Sequence, residues 1–137
     1  TQSAANVLHY YFKAIAGENF GVGKGIFINL TDFFVDLRAS INASEEEKIE
    51  IEQTKYLIKN ADLVVFDDIG SERPTGFVVE TLYKLINERY NNQKAMVFTS
   101  NLSLEELSKW HPRIASRIGE VCEVVQFKAS DYRLGKE

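Results

Sequence analysis

LVVFDDIG, residues 63–70, carries four apolar residues straight into two adjacent carboxylates, with a glycine two positions further on. A short continuous apolar run is the pattern of a parallel strand buried on both faces. Open parallel sheets bind their ligands at the carboxyl ends of their strands. Asp67 and Asp68 therefore fall at a ligand-binding edge, where like charges repel and loss of water penalises both ionised forms. A divalent cation resolves that conflict. In a nucleotide-hydrolysing site such an acid holds Mg2+, usually through water, and its neighbour orients the attacking water. The competing reading is structural: Asp68 turns the chain into the loop IGSERPTG and only Asp67 lies near the interior.

Strands and helices alternate around this stretch. Ala4, Ala5, Leu8, Tyr11, Phe12 and Ile15 fall at helical spacing and predict a helix over 2–16, stopped by Gly17. IFINL, 26–30, predicts a strand, and Thr31 is the expected cap of a following helix with Asp32 in its first turn. Ser44 and Glu47 have capping-box spacing for a charged surface helix reaching about Lys59. Thr75 is the expected cap of a helix over 76–91 that places Phe77, Val78, Leu82, Leu85 and Ile86 on one face. AMVFTSN, 95–101, is the next strand. Ser103 and Glu106 cap a short helix ending near Trp110, and Pro112 opens PRIASRIGE. VCEVVQF, 121–127, reads as a last strand. The pattern predicts one α/β domain, a parallel sheet with crossover helices.

Composition excludes several classes. The chain has 137 residues, 45% apolar and 26% charged, with a formal charge of −4, so it has no general basic footprint for nucleic acid. No apolar run reaches the roughly 18 residues of a membrane span, and no signal-peptide pattern is seen in the opening residues. The one cysteine, Cys122, forms no internal disulfide and suits a reducing cytosol. The opening TQSAANVLHYYF has no start methionine and reads as a cut into a longer protein.

GVGKG, 21–25, looks like a phosphate loop but lacks its context. A phosphate loop reads G-x-x-x-x-G-K-[ST], follows a strand and opens a helix. Glu18 stands where the first glycine belongs, Gly25 stands where Ser or Thr belongs, and the order of helix and strand is reversed. The segment is read as a connection between helix and strand.

Other polar groups join the acid pair. VFTSN ends its strand on Thr99, Ser100 and Asn101, and pairing of neighbouring strands is expected to set Asn101 beside Asp67. Its amide could orient water or meet a terminal phosphate, or simply cap the next helix. Arg113 and Arg117 lie four apart, on one helical face. Arg133 follows the last expected strand.

LVVFDDIGSERPT, LINERYNNQKAMVFTSNLSLEEL, RIASRIGE and the closing SDYR together resemble the C-terminal ATPase domain of DnaC/DnaI-type replicative helicase loaders, which are AAA+ ATPases related to the IstB-type transposition helpers. The likeness covers roughly residues 1–133. It implies a three-layer AAA+ (P-loop NTPase) core, here without its first strand and Walker A loop, with four of five sheet strands and one domain over 1–137. It makes LVVFDD the Walker B strand, with Asp67 the magnesium-linked acid and Asp68 at the catalytic-acid position, which is more often glutamate. Asn101 matches sensor 1, Arg117 the arginine finger acting on a neighbouring subunit, and Arg133 the sensor-2 arginine. Thr1 fits the last letter of the Walker A loop, a contact to nucleotide and metal, and the fragment alone is expected to be inactive.

The implied cofactors are ATP and Mg2+. The implied partners are a DnaB-type replicative helicase, single-stranded DNA and further copies of the same domain, with no membrane. Two other functions remain: a transposition helper that binds double-stranded DNA and a transposase, and a non-hydrolysing adaptor of the same shape. A response-regulator-like signalling domain fits less well, because that fold wants its acid pair early in the chain and here it comes midway.

Overall fold

The computed structural model describes residues 25–73 and 76–126. The expected helix over 2–16, GVGK of the glycine-rich segment, and Thr1, Thr75 and Arg133 lie outside the described residues. Gly25 opens a strand.

Among the described residues, three parallel strands form one sheet in the order β1-β2-β3: β1 Gly25–Asn29, β2 Leu63–Asp67 and β3 Ala95–Phe98. β2 is the central strand. Its Val64 and Phe66 join the main hydrophobic core, while Leu63 and Val65 alternate to the other face and are also buried. Both faces of β2 are therefore shielded from water, as its uninterrupted apolar run requires. Phe66 stacks on Phe98 of β3 with ring centroids 5.1 Å apart. On the edge strand β1, Ile26 and Ile28 pack on the core, whereas Phe27 faces the other way and is 53% exposed.

The link from β1 to β2 holds α1 (Leu30–Ala39), a short 3-10 turn (Ser40–Asn42) and α2 (Glu45–Asn60). The cap of α1 is Asn29, whose Oδ1 accepts from the Asp32 amide at 3.0 Å. Thr31 lies inside the helix, so its expected capping role is corrected. The helix starts as soon as the strand ends, and Asn29 is the last extended residue. Ser44 caps α2 through the Glu47 amide as expected. Only Ile51 and Ile58 of α2 are buried, two turns apart, so the helix rests on a narrow stripe.

α3 (Phe77–Asn91) connects β2 to β3. Val78, Leu82, Leu85 and Ile86 are buried as expected, but Phe77 turns outward and is 44% exposed. The fifth buried residue is Arg89, fully enclosed and overlooked from sequence. Its guanidinium donates to the carbonyls of Ile58 and Ala61, each at 2.7 Å, and of Ala95 at 2.6 Å. One side chain thus closes the C-terminal end of α2 and ties it to the start of β3. Burial pushes Arg89 down to about 10, partly offset by Asp62, so it stays cationic at neutral pH.

α3 ends in a Schellman motif: the Gln93 amide donates to Tyr90 O and the Lys94 amide to Arg89 O. Gln93 holds the left-handed position at φ 54°, which glycine adopts without strain. Gln93→Gly is expected to raise stability by about 0.5–1 kcal/mol, the removed strain outweighing the added chain entropy. Urea unfolding of the two proteins checks this, and a lower midpoint in the variant refutes it.

Ser103 and Glu106 form the reciprocal capping box of α4 (Leu104–Trp110), as expected. α5 (Pro112–Val121) follows at once, with Pro112 in its first turn. His111 joins the two: its amide caps the end of α4, and its Nδ1 accepts from the Ile114 amide at 3.2 Å to start α5. Burial, then the neighbouring Arg113, lowers the His111 pKa, with Glu80 opposing. The folded state therefore favours neutral imidazole, the form able to cap. This contribution is present above the ordinary value of 6.5 and is lost as pH falls below it. His111→Asn, which caps without titrating, is expected to flatten the stability difference between pH 7 and pH 5. Urea midpoints at both pH values measure it; an unchanged slope would refute the assignment.

The strand expected over 121–127 is corrected. Val121 closes α5, and residues 122–126 are neither helix nor strand, with Val124 and Val125 exposed. A strand needs a partner ladder, and among the described residues none pairs with this run. Cys122 is half-buried at the end of α5, and burial pushes its thiol up, which suits an inert side chain.

Candidate functional site at the carboxyl edge of the sheet

β2 delivers Asp67 to the carboxyl edge of the sheet, half-buried. The ladder between β2 and β3 carries on past the last paired residues. The Thr99 amide donates to Phe66 O at 3.1 Å, as regular parallel pairing requires. The Thr99 carbonyl accepts from the Ile69 amide at 2.9 Å, one residue later than a regular ladder. Asp68 is thus an extra residue bulged out of the strand. It holds φ 66°, uncommon for a residue with a side chain and frequent at functional sites. Bulges re-aim side chains at strand ends. This one interrupts the pleat between two adjacent like charges.

The side chain beside Asp67 is Thr99, correcting the expectation for Asn101. Thr99 Oγ1 lies 2.6 Å from Asp67 Oδ1 and accepts from the Asp68 amide at 2.8 Å. Asn101 lies two residues further on, exposed, and among the described residues its side chain makes no hydrogen bond. It is not the helix cap either, since Ser103 fills that place. Register carried the missed signal: Phe66 pairs with Phe98, so the next residues, Asp67 and Thr99, stand level.

The loop after the acids is held from three sides. Ser100 Oγ donates to Ile69 O, Trp110 Nε1 donates to Glu72 O at 2.7 Å, and Arg38 meets the Glu72 carboxylate at 3.6 Å. Gly70 explains the end of the opening stretch. It sits at φ 86°, and a Cβ there would fall 2.6 Å from Leu102 and 3.0 Å from Leu107.

Arg113 and Arg117 share one face of α5, as their spacing requires, and both lie on α3. Arg113 sits 4.4 Å above the Tyr83 ring and pairs with Glu80 at 2.9 Å. Arg117 sits 4.6 Å above Tyr90, donates to Asn87 at 3.1 Å and meets Glu120 at 3.6 Å. Glu120 also accepts from the Tyr90 hydroxyl, which raises the Tyr90 pKa. Arg117 is therefore engaged within its own chain.

Among the described residues, no group of three or more His, Cys, Asp or Glu forms a metal cage, and no cation pairs with Asp67 or Asp68. Two carboxylates without a cage fit Mg2+, which keeps several waters and takes only one or two protein carboxylates. No helix among the described residues is long and apolar enough to cross a membrane.

A parallel α/β sheet with an acid pair at the end of one strand and a hydroxyl-bearing strand end beside it is a fold that solved structures share. AMPPCP-bound DnaA from Aquifex aeolicus aligns with TM-score 0.58 and 19% identity, over 70% of this chain and 29% of that one. The DnaC helicase loader aligns with TM-score 0.58 and 24% identity, over 76% and 61%. The chain belongs to the IstB-like ATP-binding protein family, whose model matches residues 11–137. Among curated relatives, the phage-like element PBSX protein XkdC of Bacillus subtilis (strain 168) is 32% identical over 84 residues, 56% of this chain and 32% of XkdC. The chromosomal replication initiator DnaA of Ureaplasma parvum serovar 3 (strain ATCC 700970) is 31% identical over 97 residues, 69% of this chain and 21% of that DnaA. The chain thus spans a third or less of the curated relatives it matches.

Proposed function

We propose that the intact protein is an ATPase that delivers a hexameric DnaB-type replicative helicase onto single-stranded DNA. The observation that carries the reading is the carboxylate pair at the end of the central strand, in a chain of an ATP-binding family. Asp67 and Thr1 hold Mg2+, which neutralises phosphate charge when bound. Asp68 orients the water that attacks the γ-phosphate in line, and Asn101 serves as the polar sensor of that phosphate. Arg133 contacts the nucleotide from its own chain. Arg117 acts on the nucleotide of a neighbouring subunit, so assembly through this domain couples hydrolysis to ring loading. The likeness to the DnaC helicase loader supports the partner.

The family match favours a second reading, a transposition helper acting with a transposase on double-stranded DNA. The test is ATP turnover by the intact protein with single-stranded DNA, duplex DNA, and a helicase hexamer with single-stranded DNA. Stimulation by helicase with single-stranded DNA, together with transfer of the helicase onto a closed single-stranded circle, is expected. Stimulation by duplex alone supports the helper. No turnover under any condition leaves an adaptor and sinks both ATPase readings.

A further inference from the structure

We infer that Thr99 is the positioning residue of the acid pair: its hydroxyl sets which edge of the Asp67 carboxylate faces a cation and holds Asp68 in its bulged conformation. The inference rests on the ATPase reading above.

A hydroxyl has one proton to donate and lone pairs to accept with. The Asp68 amide can only donate, so the 2.8 Å contact makes Thr99 Oγ1 its acceptor. The Thr99 proton is then committed to Asp67 Oδ1 at 2.6 Å. The two bonds run the same way, from amide through hydroxyl to carboxylate, and such chains strengthen each member. Thr99 is itself fixed by backbone bonds to Phe66 on β2 and to Ile69 in the loop that follows it. Its β-branched side chain is stiff about χ1, so the hydroxyl is rigidly placed. Oδ1 of Asp67 is thereby occupied from the β3 side, which leaves Oδ2 as the oxygen that would serve Mg2+. The same oxygen satisfies the amide of the one residue that leaves the ladder, which helps hold Asp68 at φ 66°.

The test compares Thr99→Val, Thr99→Ser and Asp67→Asn in the full-length protein. Steady-state ATP hydrolysis is measured across ATP and Mg2+ concentrations. Mn2+ binding is measured by electron paramagnetic resonance with a non-hydrolysable ATP analogue present. Thr99→Val is expected to lower kcat by about tenfold to a hundredfold, the scale of one hydrogen bond to a charged group, with KM for ATP within about twofold. Half-saturating Mg2+ and Mn2+ concentrations rise, and Thr99→Ser restores all of these values. Should Thr99→Val be too unstable to assay, Thr99→Cys replaces it with the same expected losses, because a thiol is a weak donor. A Thr99→Val protein with wild-type kcat and metal dependence, beside an inactive Asp67→Asn, overturns this inference alone. Failure of Thr99→Ser to restore them also overturns it, because the methyl group rather than the hydroxyl would then matter. An inactive wild type overturns the ATPase reading and this inference with it.

Discussion

Asp67→Asn in the intact protein is expected to lower ATP turnover by at least about a hundredfold while leaving the fold intact. Changing a partner one shell removed from a metal typically costs 10–100-fold in affinity or activity, and losing a full charge that faces the metal through water belongs at the top of that range. The amide keeps an oxygen that can accept from Thr99, so the bond holding β2 to β3 at this point survives. The substitution also removes one of two adjacent negative charges, a repulsion that favours the folded state once relieved. Thermal stability should therefore be equal to or above that of the wild type while turnover collapses. That combination marks a residue kept for chemistry rather than for folding. Turnover and melting temperature measured on the same preparation decide it. Turnover within about threefold of the wild type removes Asp67 from the metal site.

Arg89→Met is expected to be the most destabilising of the substitutions considered, by about 3–5 kcal/mol, on the scale of removing one partner from a buried charged network. Methionine approximates the length and apolar stem of arginine, so packing changes little. The loss is in the carbonyls of Ile58 and Ala61, left buried without their donor, and in the part-buried carbonyl of Ala95. Domains of this size have about 5–15 kcal/mol of stability in total, so much of it disappears. Arg89→Lys keeps the charge but not the planar fork, and should fall between the two. Urea unfolding of the three proteins tests the order. A methionine variant within about 1 kcal/mol of the wild type would show that the fork contributes little beyond filling space.

The α/β class, the strand at residues 63–67 and the helices around it were legible in sequence because hydrophobic periodicity reports local burial directly. The Ser103–Glu106 capping box and Pro112 in the first turn of α5 were legible for the same reason, since caps act over three or four residues. Asp67 was legible because a strand end next to an apolar run is defined by the chain itself. The outward turn of Phe77 and the missing strand at 122–126 were not, because each depends on neighbours distant in sequence. An apolar run becomes a strand only beside another strand, and an amphipathic position is buried only if something covers it.

The acid pair shows the same division within two residues. Sequence alone placed Asp67 and Asp68 at the carboxyl edge of a buried strand, through the alternation and length of the apolar run. It did not reveal the bulge at Asp68, the level pairing of Asp67 with Thr99 rather than Asn101, or the enclosure of Arg89 between α2 and β3. Strand register and the path of a buried cation are set by hydrogen bonds between residues 28 to 32 positions apart, as at Arg89–Ala61 and Thr99–Asp67. No local pattern encodes contacts of that range; they exist once the sheet has brought the strands together.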